Sequence, residues 1–257
     1  MYANYHTHTW RCRHAHGDER SYVEQAIAAG IRILGFSDHT PYPFSGEYYS
    51  TFRMKISELE DYVTTILALK KEYQNDIEIH LGLETEYYPA YFENLLKLID
   101  PYPIEYFLLG QHFTNNETDG RASGAPTSDP EVLKRYCSQS AEALKTGCFT
   151  YFAHPDLIHF TGDEELYRKE MTSLCRTAKE LGIPLEINFL GLAEGRNYPN
   201  PAFWKLAGEV GNQVVFGLDA HKSEVFADRE TEERAKALAE RFGLEPLKTV
   251  TLRSPKQ

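Results

Sequence analysis

No stretch of this sequence stays apolar over the roughly 20 residues that a membrane-spanning helix needs. No basic-then-apolar export signal precedes the first predicted strand, so we predict a cytoplasmic protein with no membrane partner. Cysteine is sparse, and no two cysteines form a C-x-x-C pair, which argues for reduced thiols rather than a disulfide framework. The four cysteines are Cys12, Cys137, Cys148 and Cys175.

Positive charge is also in deficit. The chain has 27 lysines and arginines against 38 aspartates and glutamates, and a net charge of -11 at pH 7. A broad nucleic-acid-binding face would need clustered basic residues, so we predict no nucleic-acid partner. An anionic substrate would have to be attracted locally, by metal ions or by a few placed arginines. The sequence also lacks a glycine-rich phosphate loop and a G-x-S-x-G elbow, which excludes the nucleotide-binding folds and serine hydrolases built on those motifs.

What the sequence does contain is a strand–loop–helix unit repeated about seven times. After an opening strand around His6, strands are predicted over 31–37, 77–83, 106–110, 149–153, 184–188 and 214–218. Helices are predicted over 20–29, 57–73, 91–99, 130–144, 164–181, 201–210 and 229–242, with Ser57 and Glu60 capping the second. The segments 114–128 and 189–200 are predicted to be loops. This alternation favours the α/β class and a distorted (β/α)7 TIM-like barrel, formed by a single domain over 1–257, rather than an open sheet.

Histidine, aspartate and glutamate recur where the predicted strands end, and barrels of this kind carry their chemistry at the carboxyl ends of the strands. His6 and His8 are two residues apart, so on a strand they project to the same side, where two imidazoles can bind one metal ion. One such histidine would usually be a loop hydrogen bonder, but the placement recurs in most of the strands. The candidates are His6, His8, Asp38, His39, Glu84, His112, His154, Asp219 and His221.

These ligands exceed what one tetrahedral ion can use. We therefore predict two or three clustered divalent ions bridged by a carboxylate such as Glu84, a type of site that suits hydrolysis. Mixed imidazole and carboxylate ligands accept zinc, manganese or iron, so the metal identity stays open.

Several other residues are predicted to serve the structure. His80 lies four residues before Glu84 on the same strand face and is predicted to be a packed core histidine. Asp38 and Asp156 are predicted to orient ligating imidazoles. The remaining structural predictions concern Cys12 as a non-ligand, Asp18 as a helix cap, Glu78 and Glu86 as structural or solvated groups, and His16 and His159 as loop residues.

A series of short motifs runs through almost the whole chain: HTHT at 6–9, CRHAHGD at 12–18, SDH at 37–39, GLE at 82–84, GQH at 110–112, AHP at 153–155, EIN at 186–188 and GLDAH at 217–221. In these motifs and their order the sequence resembles the polymerase-and-histidinol-phosphatase (PHP) family of metallohydrolases, and within it the histidinol-phosphatase branch. The resemblance implies a distorted (β/α)7 barrel with a trinuclear metal centre.

The resemblance also implies how the ligands are shared. His6, His8, Glu84 and Asp219 would hold the first ion, Glu84, His112 and His154 the second, and His14, His39 and His221 the third. His16 and Asp18 are close enough in sequence to compete with His14 for the third ion.

Phosphomonoesterases of this family place arginines over the phosphate, and Arg196 in the segment GRNYP resembles one of them. A second arginine is expected after the AHP segment, where this chain has Ile158 and His159. Arg53 or His159 is predicted to substitute for it in substrate binding.

The predicted reaction is the hydrolysis of L-histidinol phosphate to histidinol and phosphate, as in histidine biosynthesis. A metal-bridging hydroxide would attack phosphorus while the metals and Arg196 stabilise the equatorial oxygens. The predicted catalytic residues are Glu84, His154, Asp219 and Arg196. The alternatives are a phosphotyrosine phosphatase or small phosphodiesterase of the same family, and a non-catalytic metal-binding barrel. The expected partner is a small phosphorylated metabolite, and the oligomeric state is left open.

Overall fold

The structure, a computed structural model, describes residues 1–256. Its strands are β1 (Ala3–Asn4), β2 (Ile33–Phe36), β3 (Glu78–Thr85), β4 (Tyr106–Leu109), β5 (Phe113–Thr114), β6 (Arg121–Ala122), β7 (Phe149–Phe152), β8 (Leu185–Asn188) and β9 (Val214–Gly217). Its helices are α1 (Glu19–Ala28), α2 (Leu59–Glu72), α3 (Phe92–Ile99), α4 (Pro130–Lys145), α5 (Glu164–Glu180), α6 (Phe189–Glu194), α7 (Pro201–Val210) and α8 (Arg229–Arg241). Within this part of the chain, no helix has the length and hydropathy to cross a membrane.

Seven strands form one parallel sheet in the order β1-β2-β3-β4-β7-β8-β9. The two ends of the sheet meet, because the His8 N–H donates to the Ala220 carbonyl at 2.9 Å and the Ala220 N–H donates to the His6 carbonyl at 3.1 Å. Lower down, the Leu218 N–H donates to the side chain of Asn4 at 2.9 Å, so a side chain supplies part of the closure. The predicted distorted (β/α)7 barrel of the α/β class is confirmed.

The ends of the outer helices follow from the sequence. An aspartate or asparagine precedes most helices and accepts a backbone N–H of the first turn, which satisfies a donor that the helix itself leaves unpaired. These caps are Asp18, Asp129, Asp163, Asn188, Asn200 and Asp228. Strands β4, β7 and β8 are buried along their whole length, as expected of parallel strands covered on both faces. The carboxyl ends of the strands therefore gather at one rim of the barrel.

The structure differs from the predicted elements in four places. Strand β1 is two residues long, so His6 and His8 lie beyond its end. The predicted loop 189–200 begins with the helix α6. Part of the predicted loop 114–128 belongs to a small antiparallel hairpin, which β5 and β6 form. The second helix is preceded by a turn in which the Glu58 carboxylate accepts the Lys55 N–H at 2.7 Å, so the predicted Ser57 cap is wrong.

The prediction that His80 is a packed core histidine is wrong. The residue lies near the amino end of β3, where its imidazole contacts the carboxylates of Glu78 at 2.9 Å and Glu105 at 2.8 Å and remains partly accessible. The spacing from Glu84 correctly puts His80 on the same face of β3. It could not predict that solvent reaches the amino end of this strand.

Candidate active site

The carboxylate of Glu84 lies at the centre of a buried histidine cluster at the carboxyl rim. Only 1% of Glu84 is exposed. The closest imidazole nitrogens are Nε2 of His154 at 2.7 Å and Nδ1 of His39 at 3.0 Å. Nε2 atoms of His6, His8 and His112 follow, each 3.5 Å from a carboxylate oxygen. One carboxylate is thus shared by five imidazoles from several strand ends.

Asp219 brings a second carboxylate to the same place. Its Oδ1 is 3.1 Å from Nε2 of His8 and 3.5 Å from Nε2 of His6. The two imidazole nitrogens are themselves 3.2 Å apart. The sequence predicted that these histidines project to one side, and they do, although the segment that carries them lies beyond β1. His6, His8 and Asp219 offer one ligand atom each within 4.8 Å of one another.

A third group is formed by His14, His39 and His221, whose ligand atoms also lie within 4.8 Å of one another. The rings of His14 and His221 stack with centroids 4.6 Å apart. The carbonyl of Cys12 lies 2.8 Å from Nδ1 of His14, which leaves Nε2 of that ring available.

The competitors for the third group lie elsewhere or are poor ligands. Asp18 caps α1 and is exposed, and the exposed His16 uses its backbone, not its ring, to bond His221. Cys12 lies within reach of His8 and His221, but burial raises the pKa of its thiol. Because the thiolate is the form that binds metals, His14 remains the better third member.

The backbone at the strand ends aims two of these side chains. His154 and Asp219, the second residues after β7 and β9, adopt φ angles of 32° and 50°. Left-handed backbone is uncommon outside glycine and costs energy, and strained residues of this kind cluster at functional sites. In this conformation His154 contacts the Glu84 carboxylate, and Asp219 contacts His6 and His8.

Gly110 provides the space that Glu84 occupies. A Cβ atom at this position would overlap Oε1 of Glu84 and lie 2.6 Å from its carboxyl carbon. The glycine of the GQH motif is therefore required by a close approach, because any side chain there would displace the central carboxylate.

Buried carboxylates contact the far nitrogens of several imidazoles. Oε1 of Glu186 is 2.8 Å from Nδ1 of His6, Oε1 of Glu86 is 2.9 Å from Nδ1 of His112, and Oδ1 of Asp38 is 3.4 Å from Nδ1 of His8. Such contacts fix which nitrogen is free for a metal. The sequence analysis anticipated Asp38 but missed Glu86 and Glu186. Glu86 lies two residues after Glu84 and Glu186 begins the EIN motif, and these positions were the available signals.

Asp156 was predicted to orient an imidazole, and no contact between its carboxylate and a histidine is found in residues 1–256. Its carboxylate instead accepts the backbone N–H of Asn200. Burial raises the pKa of Asp156 to about 7. The residue thus ties the segment after His154 to the segment that follows Arg196.

The electrostatics of the cluster are dominated by mutual pairing. Burial alone would raise the pKa of Glu84, but the imidazoles of His112 and His6 hold it well below its usual range. Burial would lower the pKa of His8, but hydrogen bonds to Asp219 and Asp38 raise it to about 9. At His221, burial and the neighbouring His8 lower the pKa to about 3. Ionised carboxylates and neutral imidazoles are the forms that bind metals, so Glu84 and His221 are held in the binding form, whereas His8 must release a proton when a metal binds.

The donor set fits divalent metal ions. Nδ1 of His154 and Nε2 of His221 are buried without a hydrogen-bond partner among the described residues. Leaving buried nitrogens unpaired costs free energy, and a metal ion is one of the few groups that would satisfy them here. Imidazole and carboxylate ligands together suit zinc, iron or manganese.

A cavity of about 620 Å³ opens above the cluster. Glu84, Asp219 and five of the histidines line its floor: His14, His39, His112, His154 and His221. Its walls include Phe52 and Phe113, whose rings stack 5.9 Å apart, and the charged pair Arg196 and Glu194. Arg196 binds Glu194 through Nη2 at 2.7 Å and keeps 41% of its side chain exposed. Of the three predicted substrate-binding residues, Arg196 is thus brought to the cluster.

Arg53 and His159 were also predicted to bind substrate, but neither lines the cavity. Arg53 is 2% exposed, and its guanidinium is held by Glu86 at 2.9 Å and by Glu117, so it has no free face for a phosphate. His159 takes part in backbone hydrogen bonds with Ser123 and Thr127, and it is not among the residues that line the cavity. Neither pairing could be seen in the sequence, because the partners come from distant segments.

A model of the PHP domain matches residues 4–189, well over half of the chain. The chain belongs to the PHP family. Among its PHP relatives, a protein of Deinococcus radiodurans named probable histidinol-phosphatase is 28% identical over 223 residues, which cover 84% of this chain and 85% of the relative. The histidinol-phosphatase of Bacillus subtilis is 26% identical over 248 residues, which cover 85% of this chain and 92% of the relative.

A solved structure shares the fold. The crystal structure of histidinol phosphate phosphatase from Lactococcus lactis, complexed with zinc, L-histidinol and phosphate, has a TM-score of 0.74 and 20% identity. The likeness covers 99% of this chain and 98% of that one. It shows that the two chains share the same fold.

Proposed function

We propose that this PHP protein is a metal-dependent phosphomonoesterase that hydrolyses L-histidinol phosphate to L-histidinol and phosphate. The observation that carries the proposal is one cavity with a floor of metal-binding side chains and an arginine, Arg196, on its wall. The names of the Deinococcus and Bacillus relatives support the phosphatase reaction. The zinc, histidinol and phosphate of the Lactococcus complex support the choice of substrate.

The chain's own residues would hold the metal ions in three groups. The groups are His6, His8 and Asp219 with Glu84, then Glu84 with His112 and His154, and then His14, His39 and His221. Bound divalent ions would supply Lewis-acid chemistry, which activates water and offsets the negative charge of the phosphoryl group.

The wall of the cavity would bind and orient the substrate. Arg196 would hold phosphoryl oxygens, because a guanidinium donates in a fork that matches them. Phe52 and Phe113 form a flat apolar surface whose Phe52 ring lies 5.2 Å from that of His39, and this surface suits an imidazole ring. Glu194 is placed to pair with the amine of the substrate, which the net negative charge of the chain also favours.

Substitution of the shared ligands tests the metal assignment. Glu84→Ala and His154→Ala should each abolish phosphate release from histidinol phosphate and reduce bound metal, while circular dichroism shows the fold retained. His159→Ala is the matched control, since His159 does not line the cavity, and it should keep wild-type turnover and metal content. Wild-type activity in Glu84→Ala would refute the assignment.

A further inference from the structure

Tyr198 lies beside Arg196 in the cavity wall, on a segment that is fixed from several sides. It is 3% exposed, and its ring centroid is 5.7 Å from that of His154. A Cβ atom at Gly191 would overlap the Tyr198 carbonyl and ring, so α6 packs tightly against this residue. Two residues further on, the Asn200 N–H is held by the buried carboxylate of Asp156. The position of the phenol is therefore set by packing and not by its hydroxyl alone.

The hydroxyl of Tyr198 has an unused proton. Nη1 of Arg196 donates to it at 2.7 Å. A guanidinium has no acceptor, so the hydroxyl must be the acceptor in this bond. No acceptor for the hydroxyl's own proton is found within residues 1–256. Two donors, the guanidinium and the O–H of Tyr198, are thus joined at one place on the cavity wall.

Neither residue that the sequence predicted as a second phosphate donor reaches the cavity. Arg53, one expected substitute, is enclosed by two glutamates, and His159, the other, lies outside the cavity lining. A phosphoryl group bound over the metal-binding floor presents oxygens that need donors from the wall.

We propose that the Tyr198 hydroxyl completes the phosphate clamp with Arg196 by donating its proton in a hydrogen bond to a non-bridging phosphoryl oxygen. The proposal rests on the proposed phosphatase function. It makes Tyr198 a catalytic residue that binds the group common to every phosphomonoester and that is indifferent to the leaving alcohol. No proton is transferred, so the phenol is unchanged after each turnover.

Tyr198→Phe tests the clamp, because it removes the hydroxyl and keeps the ring that packs on Gly191. Calorimetry with inorganic phosphate and the metal-loaded protein should show about tenfold weaker binding than wild type, as expected when one hydrogen bond to a charged group is lost. The kcat/KM should fall by about a hundredfold, and by the same factor for histidinol phosphate and p-nitrophenyl phosphate. Bound metal should be unchanged. Tyr73→Phe, at a surface tyrosine bonded to Arg20 and Glu24, is the matched control and should match wild type in all three measurements.

A double-mutant cycle adds a second readout. Arg196→Gln combined with Tyr198→Phe should lose less phosphate affinity than the product of the two single losses, because Arg196 positions the hydroxyl. Equal phosphate affinity in wild type and Tyr198→Phe would overturn the clamp. So would a loss confined to the alkyl substrate, which would make Tyr198 a donor to the leaving group, and so would a wild type that binds no phosphate. Phosphate binding that weakens in Tyr198→Phe, in a wild type that hydrolyses no phosphomonoester, would support the clamp and refute the proposed function.

Discussion

Glu86 allows a sharp test of how the outer carboxylates support the histidine cluster. It is fully buried, and it connects Nδ1 of His112, at 2.9 Å, with the guanidinium of Arg53. Burial would raise the pKa of Glu86, but Arg53 and His112 hold it below its usual range. Glu86→Gln keeps the shape of the side chain and removes the charge that both neighbours use.

Two effects of different size should follow. Breaking a buried ion pair costs about 3–5 kcal/mol. Arg53 keeps Glu117 and the Thr40 carbonyl as partners, so we expect a smaller loss of about 2 kcal/mol. For a chain of this length, that loss lowers Tm by roughly 4–8 °C. Because His112 loses the group that orients it, metal affinity should also fall by about 10- to 100-fold.

Glu117→Gln is the matched control for Glu86→Gln. Glu117 binds the same guanidinium with 3.0 Å between its Oε2 and Nε of Arg53, but it makes no contact with His112. Thermal unfolding of the metal-free proteins should show a loss of stability in both variants. Competition with a chromophoric chelator should show weaker metal binding in Glu86→Gln alone. Equal metal affinity in the two variants would refute the argument that Glu86 orients a ligand.

Two further substitutions test other parts of the structure. Gly110→Ala should displace the Glu84 carboxylate and lower the number of metal ions bound per chain. Gly124→Ala is the control, because its added Cβ would meet its nearest neighbour only at 3.9 Å and should leave the metal content unchanged. Equal metal content in the two variants would contradict the argument that Gly110 is needed for the close approach of Glu84. At the opposite end of the barrel, burial alone would raise the pKa of Glu105. Hydrogen bonds from His80 and Lys70 outweigh burial and lower this pKa from 4.5 to about 2. A depressed pKa contributes stability that is fully present above about pH 4.5 and is lost as the pH falls through about 2. In urea unfolding, Glu105→Gln should therefore cost about 1 kcal/mol at pH 7 and progressively less as the pH falls from 4.5 toward 2. A difference that does not change with pH would contradict this.

The barrel could be predicted from the sequence because its signals are local. Each strand is a short apolar run, and each helix shows apolar residues at helical spacing. Most helices also have an aspartate or asparagine cap, and none of these signals depends on distant residues. The first strand was the exception. The strand itself ends at Asn4. The segment of His6 and His8 is positioned by a hydrogen bond from the Ser37 N–H to the Thr7 carbonyl and by the closing hydrogen bonds with Ala220, which lies near the far end of the chain.

The candidate site could be predicted in part for the same reason. The parallel barrel brings all strand ends to one rim, so Glu84, Asp219 and the histidines after the strands meet there. The partners of a side chain cannot be derived in this way. Arg53 was predicted to bind substrate, and only the fold shows Glu86 and Glu117 enclosing it. Tyr198 carried no signal beyond its place two residues after Arg196.

Phosphate release from histidinol phosphate is the most direct test of the proposed function. It should be measured beside phosphotyrosine and p-nitrophenyl phosphate, with zinc, manganese and iron compared and a chelator as control. We predict a strong preference for histidinol phosphate that is lost with the chelator and restored by a divalent metal. Equal slow hydrolysis of all three compounds would contradict the assigned substrate, and no hydrolysis of any by the metal-loaded protein would contradict the phosphatase function itself.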